Sequence, residues 1–319
     1  MAGPPRKPLV AIVGPTASGK SDLALRLALT SDGEIIAADS RQVYRHMDAG
    51  TAKPSPAERA RVPHWLIDVV DPDSDFSLAQ YLQLAREALD NIWRRGRLPL
   101  LVGGTGQYVW ALIEGWQVPR VPPDRDLRRS LEARAEHEGI DALYHELAAV
   151  DSAAAARIDP RNIRRVIRAL EVRYLTGGTT PSRAAGLQPD LEPLILAIDR
   201  PRAELYRRID ERVHHILESG LVDEVRSLLE RGYSADLPPM SGIGYRQVCA
   251  FLRGDITFAD VAAKMKTETH RLARMQYTWF RRDDPRILWL DASAGRDVYG
   301  DAAAAVRQYL TKHEAPGNA

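Results

Sequence analysis

Cysteine is nearly absent from this chain of 319 residues, since Cys249 is the only one. A single cysteine excludes an internal disulfide and any zinc site built on cysteines, and it suits a reducing compartment. No apolar run approaches the roughly 20 residues that a membrane-spanning helix requires. The sequence therefore predicts a cytoplasmic protein that makes no use of a membrane.

Net charge is also nearly absent. The chain carries 44 lysines and arginines against 43 aspartates and glutamates, a formal net charge of +1. Any polyanion must then be bound by local clusters of arginine, because the field of the whole molecule does not attract it. The hydrophobic content of 45% suffices for one large core or two modest ones.

Short apolar runs alternate with helical patterns such as Lys20–Leu29 and Ser77–Arg95. Apolar runs of this length are typical of strands that are buried on both faces of a parallel sheet. The alternation predicts an α/β fold with a doubly wound parallel sheet, and together with the motif GPTASGKS at 14–21 it indicates the P-loop NTPase type. The predicted strands are Leu9–Val13, Glu34–Ala38, Leu98–Val102, Pro193–Ile198 and Arg286–Leu290.

The pattern changes at the stiff segment 119–123, which reads Pro-Arg-Val-Pro-Pro and starts with Pro119. From there to about Gly186 the sequence is typical of helices alone, which indicates an all-helical subdomain inserted into the sheet domain. The predicted organisation is a first part of the core at 1–119, the helical insertion at 120–187, and a second part of the core with C-terminal helices at 188–319. Two helical stretches are predicted in this last part, Ala203–Arg231 and Phe258–Arg282.

A phosphate-binding loop follows the first predicted strand. Residues 14–21 match the pattern GxxxxGK[ST] and lie between an apolar strand and a helix. Its backbone N–H groups and the start of the helix form a concavity for anions. Lys20 would neutralise phosphate oxygens, and the Ser21 hydroxyl would bind a Mg²⁺ ion that bridges two phosphates. The predicted diphosphate-binding residues are Gly14, Pro15, Thr16, Ala17, Ser18, Gly19, Lys20 and Ser21.

A P-loop indicates a polyphosphate ligand and leaves the reaction open. Asp39 follows the second predicted strand, at the sheet edge where parallel sheets bind ligands, and is a candidate general base. The alternative is that Asp39 or Ser40 only caps the next helix. The turn Gly103–Gly106 follows the third strand and brings the Thr105 hydroxyl to the same edge.

Nine segments, spread in order along nearly the whole chain, resemble those of a single family, the tRNA dimethylallyltransferases. The matching segments are GPTASGKS at 14–21, DSRQVYR at 39–45, GTAKP at 50–54, PHWLID at 63–68, LPLLVGGTGQY at 98–108, RNIRRVIRALEV at 161–172, RIDERV at 208–213, IGYRQ at 243–247 and QYTWFRRD at 276–283.

The resemblance implies transfer of a dimethylallyl group from dimethylallyl diphosphate to N6 of adenosine 37, beside the tRNA anticodon, with help from Mg²⁺. It implies that Asp39 is the general base and that Lys20, Thr105 and Arg212 are also catalytic, with Arg212 clamping the diphosphate. It further implies contacts with the anticodon stem-loop of tRNA by Asp39, Ser40, Arg41, Gln42, Thr105, Arg128, Arg164, Arg165, Val166, Ile167, Arg168, Tyr245 and Arg246.

A helix is predicted from Asp159 and Pro160, a good cap and first-turn pair, to Gly177. Apolar residues at helical spacing form one stripe, and arginines lie largely outside it. A solvated basic face explains such a run as well as phosphate binding does. The chain departs from the family's usual residues at Arg41, Arg164, His270 and Met275.

Three other functions compete with this hypothesis. A related enzyme could prenylate free adenosine phosphates, although the basic insertion has no use for so small a substrate. A P-loop kinase for small molecules would use ATP instead. A tRNA-binding scaffold without activity would not need Lys20, Ser21, Asp39 and Arg212 together. A monomer is expected, and the sequence leaves open the tRNA isoacceptors and the range of prenyl donors.

Overall fold

The computed structural model describes residues 6–119, 121–178 and 190–314. The chain divides into two compact units, which we call the core unit (Met1–Ile113 with Leu187–Ala319) and the helical unit (Glu114–Gly186). The predicted boundaries at residues 120 and 187 lie outside the described residues.

The core unit contains a six-stranded sheet in which every pairing is parallel, in the order β3-β2-β4-β1-β5-β6. The α/β prediction is therefore confirmed, and each predicted strand lies within two residues of an observed one. Sequence patterns missed β3, because two residues are too few for a periodic signal. The strands are β1 Lys7–Val13, β2 Gly33–Ala37, β3 His64–Trp65, β4 Leu98–Val102, β5 Leu191–Asp199 and β6 Ile287–Asp291.

Thirteen α-helices are present in the described residues. Their bounds are α1 Lys20–Thr30, α2 Pro56–Arg61, α3 Leu78–Arg94, α4 Gly106–Ile113, α5 Arg125–Glu138, α6 Ile140–Val150, α7 Ser152–Ala155, α8 Ile163–Thr176, α9 Arg202–Glu218, α10 Leu221–Glu230, α11 Tyr245–Leu252, α12 Phe258–Trp279 and α13 Val298–Glu314.

Helices cover both faces of the sheet. α1 and α13 pack with the β1 residues Val10 and Ile12 in one apolar cluster. The connection from β1 to β2 through α1 and the connection from β3 to β4 through α3 cross the sheet in opposite directions. Because both crossovers are right-handed, α3 lies on the face opposite to α1. The Tyr81 hydroxyl of α3 donates a hydrogen bond to the carbonyl of Ala37 at the end of β2. β1, β2 and β4 are consequently buried on both sides, as their apolar sequences require.

Capping residues explain where several helices begin. Ser77 and Gln80 form a capping box at the start of α3, and Thr257 and Asp260 do the same for α12. The predicted helical stretch Ala203–Arg231 consists of two helices, α9 and α10, which are separated by Gly220 in a left-handed conformation with φ 93°.

Four helices form the described part of the helical unit, α5 to α8. Their core includes Leu131, Leu143, Leu147, Val166 and Leu170, which are all less than 3% exposed. This unit therefore has an apolar core of its own.

The predicted start of α8 at Asp159 is wrong. The Asp159 carboxylate instead accepts hydrogen bonds from the backbone and side chain of Arg161, which holds a turn before the helix. Asn162 is the cap, since its side-chain oxygen accepts from the N–H of Arg165. The end at Gly177 is observed as predicted, with φ 65°.

A search of the described residues for a helix that is both long enough and apolar enough to cross a membrane finds none.

The chain just after β4 lies close to the chain just after β2, and Gly103 makes this contact possible. A Cβ atom at this position would lie 2.1 Å from the carbonyl oxygen of Ala38. We expect Gly103→Ala to lower the free energy of unfolding by more than about 3 kcal/mol, because backbone cannot yield as a side chain does. Gly96→Ala is the control, since open space surrounds Gly96 and only its φ of 68° opposes alanine, at about 1 kcal/mol. Urea unfolding measures both, and equal losses would contradict this account.

Candidate active site

The P-loop lies between β1 and α1, at the carboxyl edge of the sheet. Gly14 and Gly19 have φ values of 129° and 104°, and Ala17 has a φ of 62°, which is rare for a residue with a side chain. α1 begins at Lys20 without a side-chain cap. Its first N–H groups are therefore left for an anion, at the positive end of the helix dipole.

Lys20 lies against this loop with its ammonium group turned back on the backbone. Nζ donates a hydrogen bond of 2.6 Å to the carbonyl of Pro15. Burial lowers the pKa of Lys20 to about 7, and the positive charge of Arg212 lowers it further than the negative charge of Asp39 raises it. A group with this pKa gains a full positive charge when an anion arrives.

Three side chains from elsewhere in the core unit hold consecutive P-loop residues. The N–H of Thr16 donates to Oε1 of Gln276 on α12 at 2.7 Å. Nε of Arg208 on α9 donates to the carbonyl of Ala17 at 2.9 Å. Nε of Arg200 donates to the carbonyl of Ser18 at 2.8 Å.

Gln276 also joins the P-loop to the neighbouring strand. Its Nε2 donates to the carbonyl of Gly104, just after β4, at 3.1 Å. The side chain is almost completely buried. Gln276 therefore fixes the distance between the loops that follow β1 and β4.

Ser21 is exposed at the start of α1, and no hydrogen bond of its hydroxyl to another of the described residues is found. The described residues contain no cluster of three metal-ligating side chains. Mg²⁺ commonly takes one or two protein oxygens and completes its shell with phosphates and water. The free hydroxyl of Ser21 beside the P-loop fits such an ion.

Asp39 lies two residues after β2, and its position is fixed by a local turn. Its Oδ1 accepts a hydrogen bond of 2.8 Å from the N–H of Arg41. The alternative that Asp39 or Ser40 caps a helix is wrong, since the next helix is α2 and its cap is Ser55. The second carboxylate oxygen of Asp39 has no hydrogen-bond donor among the described residues.

Thr105 comes to the same place from the end of β4. Its hydroxyl accepts a hydrogen bond of 3.1 Å from the N–H of Ser40, and its own N–H donates to the carbonyl of Ala38. The hydroxyl proton is consequently available to a ligand. The fold thus brings Ser40 and Thr105 together.

Two cavities share the wall that carries these groups. A cavity of about 300 Å³ is lined by the P-loop, Lys20 and Arg208. A larger one of about 690 Å³ is lined by Ser40, Thr105 and residues of α11 and α12. Asp39 and Arg212 line both cavities. These two side chains therefore lie between an anion site and a separate, wider opening.

Arg212 projects from α9 into the wall of both cavities. Within the described ranges no acidic oxygen lies within 4.0 Å of it, while burial lowers its pKa and Asp39 partly opposes this shift. An arginine held in this way favours an anionic ligand.

The remaining residues predicted to contact RNA after β2 are held by backbone carbonyls. Nη1 of Arg41 donates to the carbonyl of Pro238 at 2.9 Å. Nε2 of Gln42 donates to the carbonyls of Thr51 and Ala52. Arg41 lines the larger cavity and Gln42 the smaller one.

Tyr245 and Arg246 both line the larger cavity, but they differ in exposure. Tyr245 is 1% exposed, and its hydroxyl donates to Glu224 at 2.6 Å. Burial, and then the charge of Glu224, raises the pKa of this phenol. Arg246 is exposed and pairs with Glu268 at 2.6 Å. Of these two residues, Arg246 presents its charge to solvent.

In the helical unit, Arg128 and Arg168 converge on Glu171, whose side chain is fully buried. Arg128 makes two hydrogen bonds of 2.9 Å to this carboxylate, and Arg168 makes one of 2.5 Å. The N–H of Asp124 adds a fourth at 2.8 Å. Burial alone would raise the pKa of Glu171, but these hydrogen bonds outweigh it and lower the pKa.

The other predicted positions on α8 face in two directions. Arg164 and Arg165 are exposed, whereas Val166 and Ile167 are buried in the apolar core of the helical unit. The side chains of Val166 and Ile167 therefore support the helix from within. Tyr174, although it falls at helical spacing with them, is 44% exposed.

Sequence reasoning missed the residues that hold the site in place. Gln276, Arg200, Arg208, Glu171 and Glu224 all act on segments distant in sequence. Gln276, Arg208 and Glu171 lie within segments that carry the family resemblance, which was the only available signal.

Comparisons with known proteins identify the family. The model of the IPP transferase family matches residues 42–283, and the model of the isopentenyl transferase family matches residues 7–68. A tRNA dimethylallyltransferase of Roseiflexus sp. (strain RS-1) is 53% identical, over 95% of this chain and 99% of its own. The chain belongs to the tRNA dimethylallyltransferase family. The resemblance inferred from the sequence motifs is thereby confirmed.

Solved structures give the same family. The full-length tRNA isopentenylpyrophosphate transferase of Bacillus halodurans is 39% identical with a TM-score of 0.69, and the match covers 97% of each chain. A eukaryotic dimethylallyltransferase acting on tRNA is 27% identical with a TM-score of 0.82, over 96% of this chain and 80% of its own.

The lowered pKa of Lys20 makes anion binding depend on pH. Below pH 7 the ammonium form is already present, while above pH 7 binding requires uptake of a proton. We expect the affinity for inorganic diphosphate, measured by calorimetry without divalent cations, to fall by up to about tenfold per pH unit above 7. Lys20→Arg is the control because arginine stays charged over this pH range. Diphosphate itself titrates in the same way with both proteins, so the difference between their pH profiles reports on Lys20 alone. Identical pH profiles for the two proteins would refute the effect.

The buried carboxylate of Glu171 is expected to stabilise the helical unit. Glu171→Gln leaves Arg128 and Arg168 without their counter-charge, so we expect a loss of about 3–5 kcal/mol in the free energy of unfolding. Glu146→Gln is the matched control, since it removes a partly exposed ion pair with Arg134 in the same unit and costs at most about 1 kcal/mol. Urea unfolding followed by circular dichroism measures both, and equal losses would contradict the role of burial.

Proposed function

We propose that this chain transfers a dimethylallyl group from dimethylallyl diphosphate to N6 of adenosine 37 in tRNA and releases diphosphate. One observation carries the proposal: Asp39 and Arg212 line both the cavity of the P-loop and the wider cavity beside Thr105. A diphosphate in the first cavity and a base in the second would meet at these two side chains.

The chemistry of each group suits this transfer. N6 of adenine is a weak nucleophile, so Asp39 accepts its proton as the new C–N bond forms, which is worth roughly 10²–10⁴-fold in rate. The bond between the prenyl carbon and the diphosphate oxygen breaks, and the diphosphate leaves with its electron pair. Lys20, Arg212 and the P-loop N–H groups stabilise the charge that accumulates on it.

Ser21 would hold a Mg²⁺ ion together with the diphosphate oxygens. When bound, this ion supplies a positive charge that neutralises the leaving group. Serine hydroxyl, phosphate and water are the oxygen ligands that Mg²⁺ prefers.

The adenine must leave its stack to reach Asp39, at a cost of a few kcal/mol. Thr105 and the segment 39–42 are positioned to hold the base by hydrogen bonds. Arg246 beside the wider cavity, and Arg128, Arg164, Arg165 and Arg168 in the helical unit, would contact tRNA phosphates. Val166, Ile167 and Tyr245 are buried, so their part is to support these contacts.

The relatives are tRNA dimethylallyltransferases, which supports tRNA rather than free nucleotides or ATP as the partner substrate. A monomer in the cytoplasm, where mature tRNA is plentiful, is the state we expect for this enzyme.

Prenyl transfer from labelled dimethylallyl diphosphate to tRNA, with Mg²⁺, tests the proposal. We expect label on unmodified tRNA, and none on an anticodon stem-loop with adenosine 37 replaced or on AMP. Asp39→Asn should lower kcat by at least about 100-fold, since the amide cannot accept the proton. Asp223→Asn is a suitable control, because Asp223 is an exposed surface carboxylate on α10 paired with Arg226.

Label on AMP would replace the proposal with a free-nucleotide prenyltransferase. ATP turnover without any label would replace it with a kinase. Unchanged transfer by Asp39→Asn would remove Asp39 as the base while leaving the reaction intact.

A further inference from the structure

Arg208 holds the P-loop through one nitrogen and has two further nitrogens in the same cavity. Arg208 lies on α9, one helical turn before Arg212, and lines the same cavity as Lys20. Only one of its nitrogens has a hydrogen-bond acceptor among the described residues: Nε, which donates to the carbonyl of Ala17 at 2.9 Å. Nη1 and Nη2 are thus free for a ligand.

The guanidinium is close to the anion-binding part of the loop. A Cβ atom built on Gly19 would lie 4.0 Å from Nη2 of Arg208. Gly19 immediately precedes α1, whose first N–H groups lack a side-chain cap. The free edge of Arg208 and these N–H groups therefore border the same space.

Arg208 forms no ion pair with the described residues. Within the described part of the chain, no carboxylate lies within 4.0 Å of it, whereas its neighbours Arg200 and Arg207 pair with Glu204 and Glu211. Burial, and then the charge of Arg200, lowers the pKa of Arg208. An uncompensated cation in a cavity that already holds Lys20 and Arg212 is unfavourable until an anion enters.

We propose that Arg208 is a diphosphate-binding residue, which grips the leaving group through Nη1 and Nη2 while Nε holds Ala17 in place. This inference rests on the proposed function for the identity of the ligand. It gives the diphosphate cavity two arginines from one face of α9, Arg208 and Arg212. The left-handed conformation of Ala17 is strained, and the hydrogen bond from Nε of Arg208 stabilises it.

Binding of inorganic diphosphate, measured by calorimetry without tRNA, prenyl donor or divalent cation, tests the inference separately from the reaction. We expect Arg208→Gln to weaken binding about 10- to 100-fold, since it removes charge-assisted hydrogen bonds to the diphosphate. Arg208→Lys should recover part of the affinity. Arg207→Gln is the matched control, because Arg207 is the preceding residue, exposed and paired with Glu211, and it should change binding less than about twofold.

Salt dependence separates a direct contact from mere support of the loop. Loss of a charge that faces the ligand makes binding less sensitive to NaCl. Arg208→Gln should therefore show a shallower salt dependence, whereas Gln276→Ala, which removes a neutral support of Thr16, should weaken binding and keep the slope of the unaltered protein.

Diphosphate binding by Arg208→Gln that equals that of the unaltered protein would overturn the inference. So would weaker binding with an unchanged salt slope, since that is the behaviour of a supporting residue. Thermal melts of all variants establish that they are folded, and Arg208→Lys supplies the comparison should Arg208→Gln not fold. If diphosphate binding depends on Arg208 but no prenyl group is transferred to tRNA, the result would contradict the proposed function and leave this inference intact.

Discussion

The site depends on three hydrogen bonds that fix three consecutive residues of the P-loop. A glycine-rich loop has little conformational preference, and here even Ala17 adopts a left-handed φ of 62°. Gln276, Arg208 and Arg200 fix Thr16, Ala17 and Ser18 from three different parts of the core unit. Since α9 and α12 also carry Arg212 and Gln276, which line both cavities, the geometries of the two cavities are set together.

Charge is distributed unevenly in a chain whose net charge is only +1. Surface arginines such as Arg134, Arg207 and Arg226 pair with carboxylates within a helical turn or across a short gap. Lys20, Arg208 and Arg212, in contrast, border the P-loop cavity with no carboxylate within 4.0 Å in the described ranges. These three cations are therefore available to an anion that enters the cavity, whereas the charges of the surface arginines named above are already paired.

The helical unit uses the opposite arrangement. Arg128 and Arg168 are neutralised by the buried Glu171, which fixes both guanidiniums in one geometry. Arg164 and Arg165 on the same helix are exposed. Binding of an RNA backbone benefits from both kinds of arginine, because fixed ones set orientation and solvated ones supply long-range attraction.

The sequence alone determined the parallel α/β core, the P-loop, the family, and the placing of Asp39 and Thr105 at one sheet edge. These features follow from local patterns: short apolar runs, a spaced glycine motif, and polar residues at strand ends. It failed at the start of α8, because Asp159 and Asn162 are both good caps and only packing of the helix chooses between them. It also missed β3, which is too short to have a pattern.

Only the tertiary structure decided which charges are paired and which are free. Arg207 and Arg208 are adjacent and identical in sequence terms, yet one pairs with Glu211 on the surface and the other faces the P-loop cavity. The same holds for Gln276, whose partners Thr16 and Gly104 are more than 170 residues away in the chain. Hydrogen bonds and burial depend on which segments the fold brings together, and no local periodicity encodes such long-range neighbours.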